Sequence, residues 1–164
     1  MNQEQKDHYF MEKALQEAKV AFEKDEVPVG AIIVSNDKII ARSHNLTETL
    51  NDVTAHAEMQ AITSAANYIG GKYLNDCTMY VTKEPCPMCA GALIQARMGK
   101  IIYGAEDIKR GALGGTINLA EHKSAHHNML IERGIMEEES RKIIVDWFKD
   151  KRGLSRKSLL SKPR

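Results

Sequence analysis

Long apolar runs are missing from this 164-residue chain. No stretch approaches the roughly eighteen apolar residues of a membrane-spanning helix, so no helical membrane anchor is expected. Met1 to Asp7 show no basic patch leading into an apolar segment, so no signal peptide is expected either. Cysteine is scarce. Three thiols, an odd number, do not suit a disulfide framework, and a reducing, cytoplasmic location fits. There is no second CxxC of the kind that closes a four-ligand structural zinc site. Internal repeats and linkers are absent, and the length is that of one domain with room for a sizeable core.

Net charge is small, +1, but it is unevenly spread. Residues 149 to 164 hold seven cations (Lys149, Lys151, Arg152, Arg156, Lys157, Lys162 and Arg164) against Asp150 alone. The rest of the chain is therefore net acidic. A basic end on an acidic body suits a polyanionic partner.

The chemistry is concentrated in residues 54 to 89. The stretch begins Thr54-Ala55-His56-Ala57-Glu58 and ends Glu84-Pro85-Cys86-Pro87-Met88-Cys89. His56, Cys86 and Cys89 are ligand types that zinc prefers, and a set of three leaves a fourth position open, as catalytic sites do. Glu58 stands two residues after His56. One helical face does not present both, because positions i and i+2 lie about 200° apart. With His56 at a helix cap and Glu58 just inside, the carboxylate leans over the metal without binding it. H-x-E followed by P-C-x-x-C is the pattern of zinc-dependent nucleobase deaminases, in which the glutamate carries protons. Cys77 lies in a strand-like run, Asp76 to Thr82, and reads as a small buried hydrophobe.

Periodicity supplies the frame. Residues 7 to 24 read as a helix with Met11, Leu15, Ala18 and Phe22 inward. Val29 to Val34 and Lys38 to Ser43 form a hairpin around Asn36-Asp37. Thr54 is expected to cap a helix whose core stripe is Met59, Ile62, Ala66 and Ile69, ending at Gly70-Gly71. A strand from Cys77 to Thr82 and a helix from Pro85 to Met98 follow, then a strand from Lys100 to Ala105. The Gly-rich stretch from Glu106 to Asn118 is a loop, and Asn128 to Glu132 is a fifth strand. A last helix runs from 137 to about 152, with Ile143, Ile144, Trp147 and Phe148 on one face. Strands alternating with helices imply an α/β sheet layered by helices, a single domain over 1–152 with a basic, frayed tail over 153–164.

From about residue 8 to 152 the chain resembles the cytidine deaminase superfamily, and within it the bacterial tRNA-specific adenosine deaminases. The likeness rests on Val27 to Ala31, Thr54 to Glu58, Tyr80 to Ala92 and Gly104 to Ala112. The last block is the more discriminating, together with Trp147-Phe148 before basic residues. Two positions depart: Val53 stands where such proteins usually have Pro, and His126 precedes His127 where Asn-His is common.

The resemblance implies a cytidine-deaminase-like three-layer α/β/α fold, a five-stranded mixed sheet, a homodimer and one zinc per subunit held by His56, Cys86 and Cys89. It implies hydrolytic deamination of adenosine to inosine at the wobble position of a tRNA anticodon stem-loop. Water activated at the zinc would attack C6, with Glu58 as proton shuttle. Asn45, Ala57, Asp107 and Lys109 would contact substrate, Asn45 at the target base and Asp107 at the nucleotide beside it. The loop from Lys109 and the final helix, with Lys149, Lys151 and Arg152, would hold the RNA backbone.

Three other readings compete. A small-molecule deaminase of guanine, cytosine or a nucleotide would use the same zinc site, but has no need of the basic end or of the Glu106 to Ala112 loop. An RNA-binding module with structural zinc has no use for Glu58. A redox CxxC protein has no role for His56 and Glu58.

Overall fold

The computed structural model describes the backbone of residues 1–161 and the side chains of residues 1–153. A five-stranded sheet lies between two layers of helices. Its elements, in chain order, are α1 (Gln3–Glu23), β1 (Gly30–Ser35), β2 (Lys38–His44), α2 (Ala57–Ile69), β3 (Cys77–Lys83), α3 (Pro87–Gln95), β4 (Lys100–Ala105), β5 (Leu130–Arg133) and α4 (Glu137–Ser161). The strand order is β2-β1-β3-β4-β5. β1 runs antiparallel to β2 and β3, while β3, β4 and β5 are mutually parallel, so the sheet is mixed, as expected.

Alternation along the strands sorts the core into two. Ala31, Ile33, Met79, Val81, Ile101 and Tyr103 face α2 and α3. Ile32, Val34, Tyr80 and Ile102 face the other way, against Phe10, Met11 and Ala14 of α1. The β1–β2 turn is left-handed at both central residues, with φ of 51° at Asn36 and 60° at Asp37. Asn and Asp tolerate that region, and it matches the twist of a tight hairpin. Close approach fixes α4: a Cβ on Gly104 would lie 2.4 Å from Ser140 Oγ, so β4 needs glycine where the helix crosses. Among the described residues no helix is long and apolar enough to cross a membrane.

Several expectations are corrected. α2 is capped by His56, not Thr54. The Thr54 hydroxyl donates instead to Asp52 Oδ1 at 2.7 Å. The fully buried stripe of α2 is Ala57, Ala61 and Ala65, beside Glu58; of the expected stripe, Ile62 packs against the core while only partly buried, Met59 and Ala66 are half-buried, and Ile69 faces out. The helix lies flush on the sheet, and only methyl-sized side chains fit there; Ile69 is 45% exposed. α3 stops at Gln95, because Arg97 turns left-handed (φ 54°) and buries Met98 under the sheet edge. α4 runs on past Gly153 to Ser161. One glycine costs a helix only about 1 kcal/mol, and the sequence offers no proline before Pro163 to break it. Residues 162 to 164 of the expected tail lie outside the described residues.

Candidate active site

His56 and Cys86 occupy equivalent places. His56 is the N-cap of α2 and Cys86 the N-cap of α3, and neither side chain caps its helix. A cap position normally holds Ser, Thr, Asp or Asn bonding the first turn. Here both side chains turn away from that task and toward each other. Pro87 opens α3, where a missing N–H is harmless, and Cys89 follows in the first turn. Both helix N-termini therefore point positive dipole ends at the thiols.

His56 Nδ1 lies 3.6 Å from Cys86 Sγ and 3.5 Å from Cys89 Sγ. A tetrahedral ion with Zn–S and Zn–N bonds of usual length would separate N and S by about 3.6 Å. All three ligand atoms lie within 4.8 Å of one another. The donor set, its spacing and its shape thus fit zinc. The thiols are also prepared for it. Cys86 is lowered to about 4, first by its hydrogen bond with Cys89 and then by His56. Cys89 is pushed upward by the same bond and by burial. One thiolate is favoured before any cation arrives. Cys77 is buried in β3, apart from this group, as a hydrophobe would be. His122 and His126 do stand at finger-like spacing, but they are not part of the group, and His122 Nδ1 pairs with Ser124 at 2.7 Å.

The turn into α2 is held rigidly. Ser43 Oγ donates to the Ala57 carbonyl at 2.6 Å, and Gln60 Nε2 donates to the carbonyls of His44 (2.8 Å) and Ala55 (3.1 Å). Glu58, in the first turn, is 4% exposed, and burial raises its pKa. It is a carboxyl group that takes a proton readily, placed beside the ligand set rather than within it.

His56, Glu58 and Cys86 line a cavity of about 820 Å³, and Cys89 is buried beside them. Val29, Asn45, Thr47 and Ala57 also line it, as do Lys83, Glu84, Asp107, Lys109 and Arg110, and Phe148 of α4. All the expected contact residues (Asn45, Ala57, Asp107 and Lys109) thus face one space. Asp107 is more occupied than expected. Its Oδ1 accepts from the backbone N–H groups of Lys109 and Arg110, both at 3.0 Å, and its Oδ2 pairs with Lys83 at 3.1 Å. Burial works against its charge, but those bonds outweigh burial and hold its pKa below the usual value. The three helix cations behave differently from one another. Lys151 is tied to Asp25 and lies 5.3 Å from the Trp147 ring, whereas Lys149 and Arg152 are exposed.

Three buried carboxylates escaped the sequence reading, the first being Asp7, which accepts from the Tyr80 hydroxyl at 2.6 Å. Glu26 is wholly buried beneath the 46–50 loop and accepts from the N–H groups of Glu48 (2.9 Å) and Thr49 (2.7 Å). Glu84 lies beneath the 107–116 loop. The signal for Glu84 was its place just before Pro85 together with the glycines at 111 and 115. Arg110 and Lys83 were also missed, since an isolated cation in a loop looks like any solvated one.

A family model described as MafB19-like deaminase matches residues 4–152. The chain is 43% identical over 156 residues to the tRNA-specific adenosine deaminase of Bacillus subtilis, covering 93% of this chain and 97% of that one. It is similar, with a TM-score of 0.80 and 45% identity over 82% of this chain and 98% of the other, to a structure from work on A-to-I editing by tRNA:A34 deaminases at the wobble position of transfer RNA. The guanine deaminase of Bacillus subtilis is a looser match, with a TM-score of 0.58 and 35% identity over 73% of this chain and 84% of that one. The chain belongs to the MafB19-like deaminase family and, within it, to the tRNA-specific adenosine deaminases.

Proposed function

We propose that this protein converts adenosine to inosine at the wobble position of tRNA, with one zinc held by His56, Cys86 and Cys89. When bound, zinc supplies the Lewis acidity that makes water a nucleophile near neutral pH. The protein's own residues do the rest. Glu58 takes a proton from the attacking water and delivers it to N1 of adenine. As the water oxygen bonds to C6, Glu58 then takes the second proton from that oxygen and passes it to the amine, so that the C6–N bond breaks and ammonia leaves. Its burial suits this traffic, because a carboxyl group that is easily protonated both accepts and returns a proton. Asn45 and Ala57, on the cavity wall, orient the base. The base reaches them by leaving its stack, which is easiest from an unpaired anticodon loop.

The observation that carries this reading is a buried carboxylate, Glu58, lining a cavity that Lys83, Lys109 and Arg110 also line. The cavity is large enough for a nucleotide with part of its neighbours, and the cations suit phosphate. A free base needs neither. Comparing kcat/KM on an anticodon stem-loop with kcat/KM on free guanine and cytosine tests this. A preference for the free bases would overturn it. We further propose a single domain over 1–152, a cytoplasmic location and a homodimer. The apolar side chains Leu50, Val53, Tyr68 and Ile69, exposed in one chain, support the dimer. A monomer mass by sedimentation would contradict it.

The basic helix gives a separable expectation. Lys149→Ala with Arg152→Ala should weaken tRNA binding and flatten the log–log salt dependence by about 1.4, near 0.7 for each phosphate contact on a single strand. Adding Lys151→Ala should change the slope little and lower Tm instead, because Lys151 is engaged with Asp25 and Trp147. Affinity measured across a salt series decides. Parallel lines for parent and double variant would make the helix charge a solubility feature only.

A further inference from the structure

Glu84 is 3% exposed and makes no ion pair among the described residues. Its carboxylate instead accepts three backbone N–H groups from the 107–116 loop. Oε1 takes Asp107 N at 3.0 Å, and Oε2 takes Leu113 N at 3.0 Å and Gly115 N at 2.8 Å. The loop is pressed onto it. A Cβ on Gly111 would fall 2.3 Å from Glu84 Cδ, and one on Gly115 would fall 2.5 Å from Oε1 and 2.3 Å from the Asp107 carbonyl. At both glycines a side chain would strike this carboxylate and the Asp107 carbonyl together.

The hold is passed outward. Glu84 fixes the Asp107 backbone, and the Asp107 side chain fixes the N–H groups of Lys109 and Arg110. Those two residues, with Lys83 paired to Asp107, form one wall of the cavity. The inner carboxylate lies two residues before Cys86 in the chain, so the metal-bearing segment and the loop share a single anchor.

We propose that Glu84 is a positioning residue for RNA recognition: it sets the 107–116 loop so that Lys109 and Arg110 meet the backbone flanking the target nucleotide, and it takes no part in proton transfer. This rests on the tRNA reading above and names the device that serves it. The substrate-facing cations would then act as one unit with the buried carboxylate beneath their loop, rather than as independent surface charges.

The test uses the zinc-loaded protein. Glu84→Gln keeps the volume and one acceptor oxygen, but it turns an NH₂ toward either Asp107 N or the Leu113 and Gly115 pair. Zinc content and kcat on an anticodon stem-loop should stay within about threefold of the parent, while KM rises tenfold or more. The salt dependence of stem-loop affinity should flatten by about 1.4, as for two lost phosphate contacts. Adding Lys109→Ala and Arg110→Ala to Glu84→Gln should flatten it no further, since coupled residues are not additive. Should Glu84→Gln fail to fold, Gly115→Ala, whose new methyl would strike Glu84 Oε1 and the Asp107 carbonyl, displaces the same loop and should reproduce the KM rise. A fall in Tm with KM and slope unchanged would make Glu84 structural only and overturn the proposal. So would a loss of kcat or zinc at unchanged KM. The affinity series needs no turnover, so an inactive parent would count against the tRNA deamination reading and leave this one decided by its slopes.

Discussion

Replacing Glu58 with alanine should abolish turnover while leaving zinc content, fold and tRNA affinity near those of the parent. A single acid–base group is ordinarily worth about 10²–10⁴-fold. Glu58 should exceed that, because it is asked to move protons at three points: from water, to the ring nitrogen and to the leaving amine. Its surroundings offer no substitute. Asn45 does not titrate, Asp107 has its oxygens committed to Lys83 and to its own loop, and Glu84 is bound to three N–H groups. Glu58 itself is 4% exposed, so bulk water does not readily replace it. Inosine formation measured in single turnover, with zinc and affinity measured on the same preparation, checks this. A Glu58→Ala protein that kept a tenth of the parent rate would refute the shuttle.

Cys86→Ala should do more, removing metal, activity and part of the stability together. Cys86 is the N-cap of α3 and His56 that of α2, and neither bonds its own helix. The two helix ends are therefore to be held by the ion that bridges them rather than by caps. Removing one of three ligands takes away the bridge, and ligand-linked stability goes with it. Elemental analysis should find little zinc, and Tm should fall toward that of the chelated parent. Cys77→Ala is the control. Its thiol is 2% exposed in β3 and outside the ligand group, so this variant should keep zinc and activity and lose only packing. Full zinc occupancy in Cys86→Ala would contradict the assigned ligand set.

Much of this site was legible because its parts announce themselves by type. Imidazole, thiol and carboxylate at His56, Glu58, Cys86 and Cys89 have few other reasons to occur at such spacing, and two helix starts bring them together. The five strands and the flanking helices were legible from alternation and helical periodicity in the same way. What was not legible depended on contact. The α2 stripe reads as Met59, Ile62 and Ile69 if hydrophobicity decides, yet the small residues Ala57, Ala61 and Ala65 are the ones buried, because proximity to the sheet decides. Thr54 looks like a cap until Asp52 is seen to claim its hydroxyl. Glu26 looks like a surface acid, and Glu84 differs only in its place before Pro85 and in the distant glycines at 111 and 115, since backbone N–H groups converging from far along the chain leave little local trace. The helix end past Gly153 failed for a different reason: composition suggested a tail, but charge does not by itself unwind a helix.

The most direct test offers the protein paired tRNA transcripts that differ at one base, adenosine or guanosine at the wobble position, and maps inosine along each. Inosine is expected at that position in the adenosine transcript and at no position in the guanosine one, with loss of the signal in Glu58→Ala. No inosine in either transcript, alongside ammonia release from free guanine or cytosine, would contradict it.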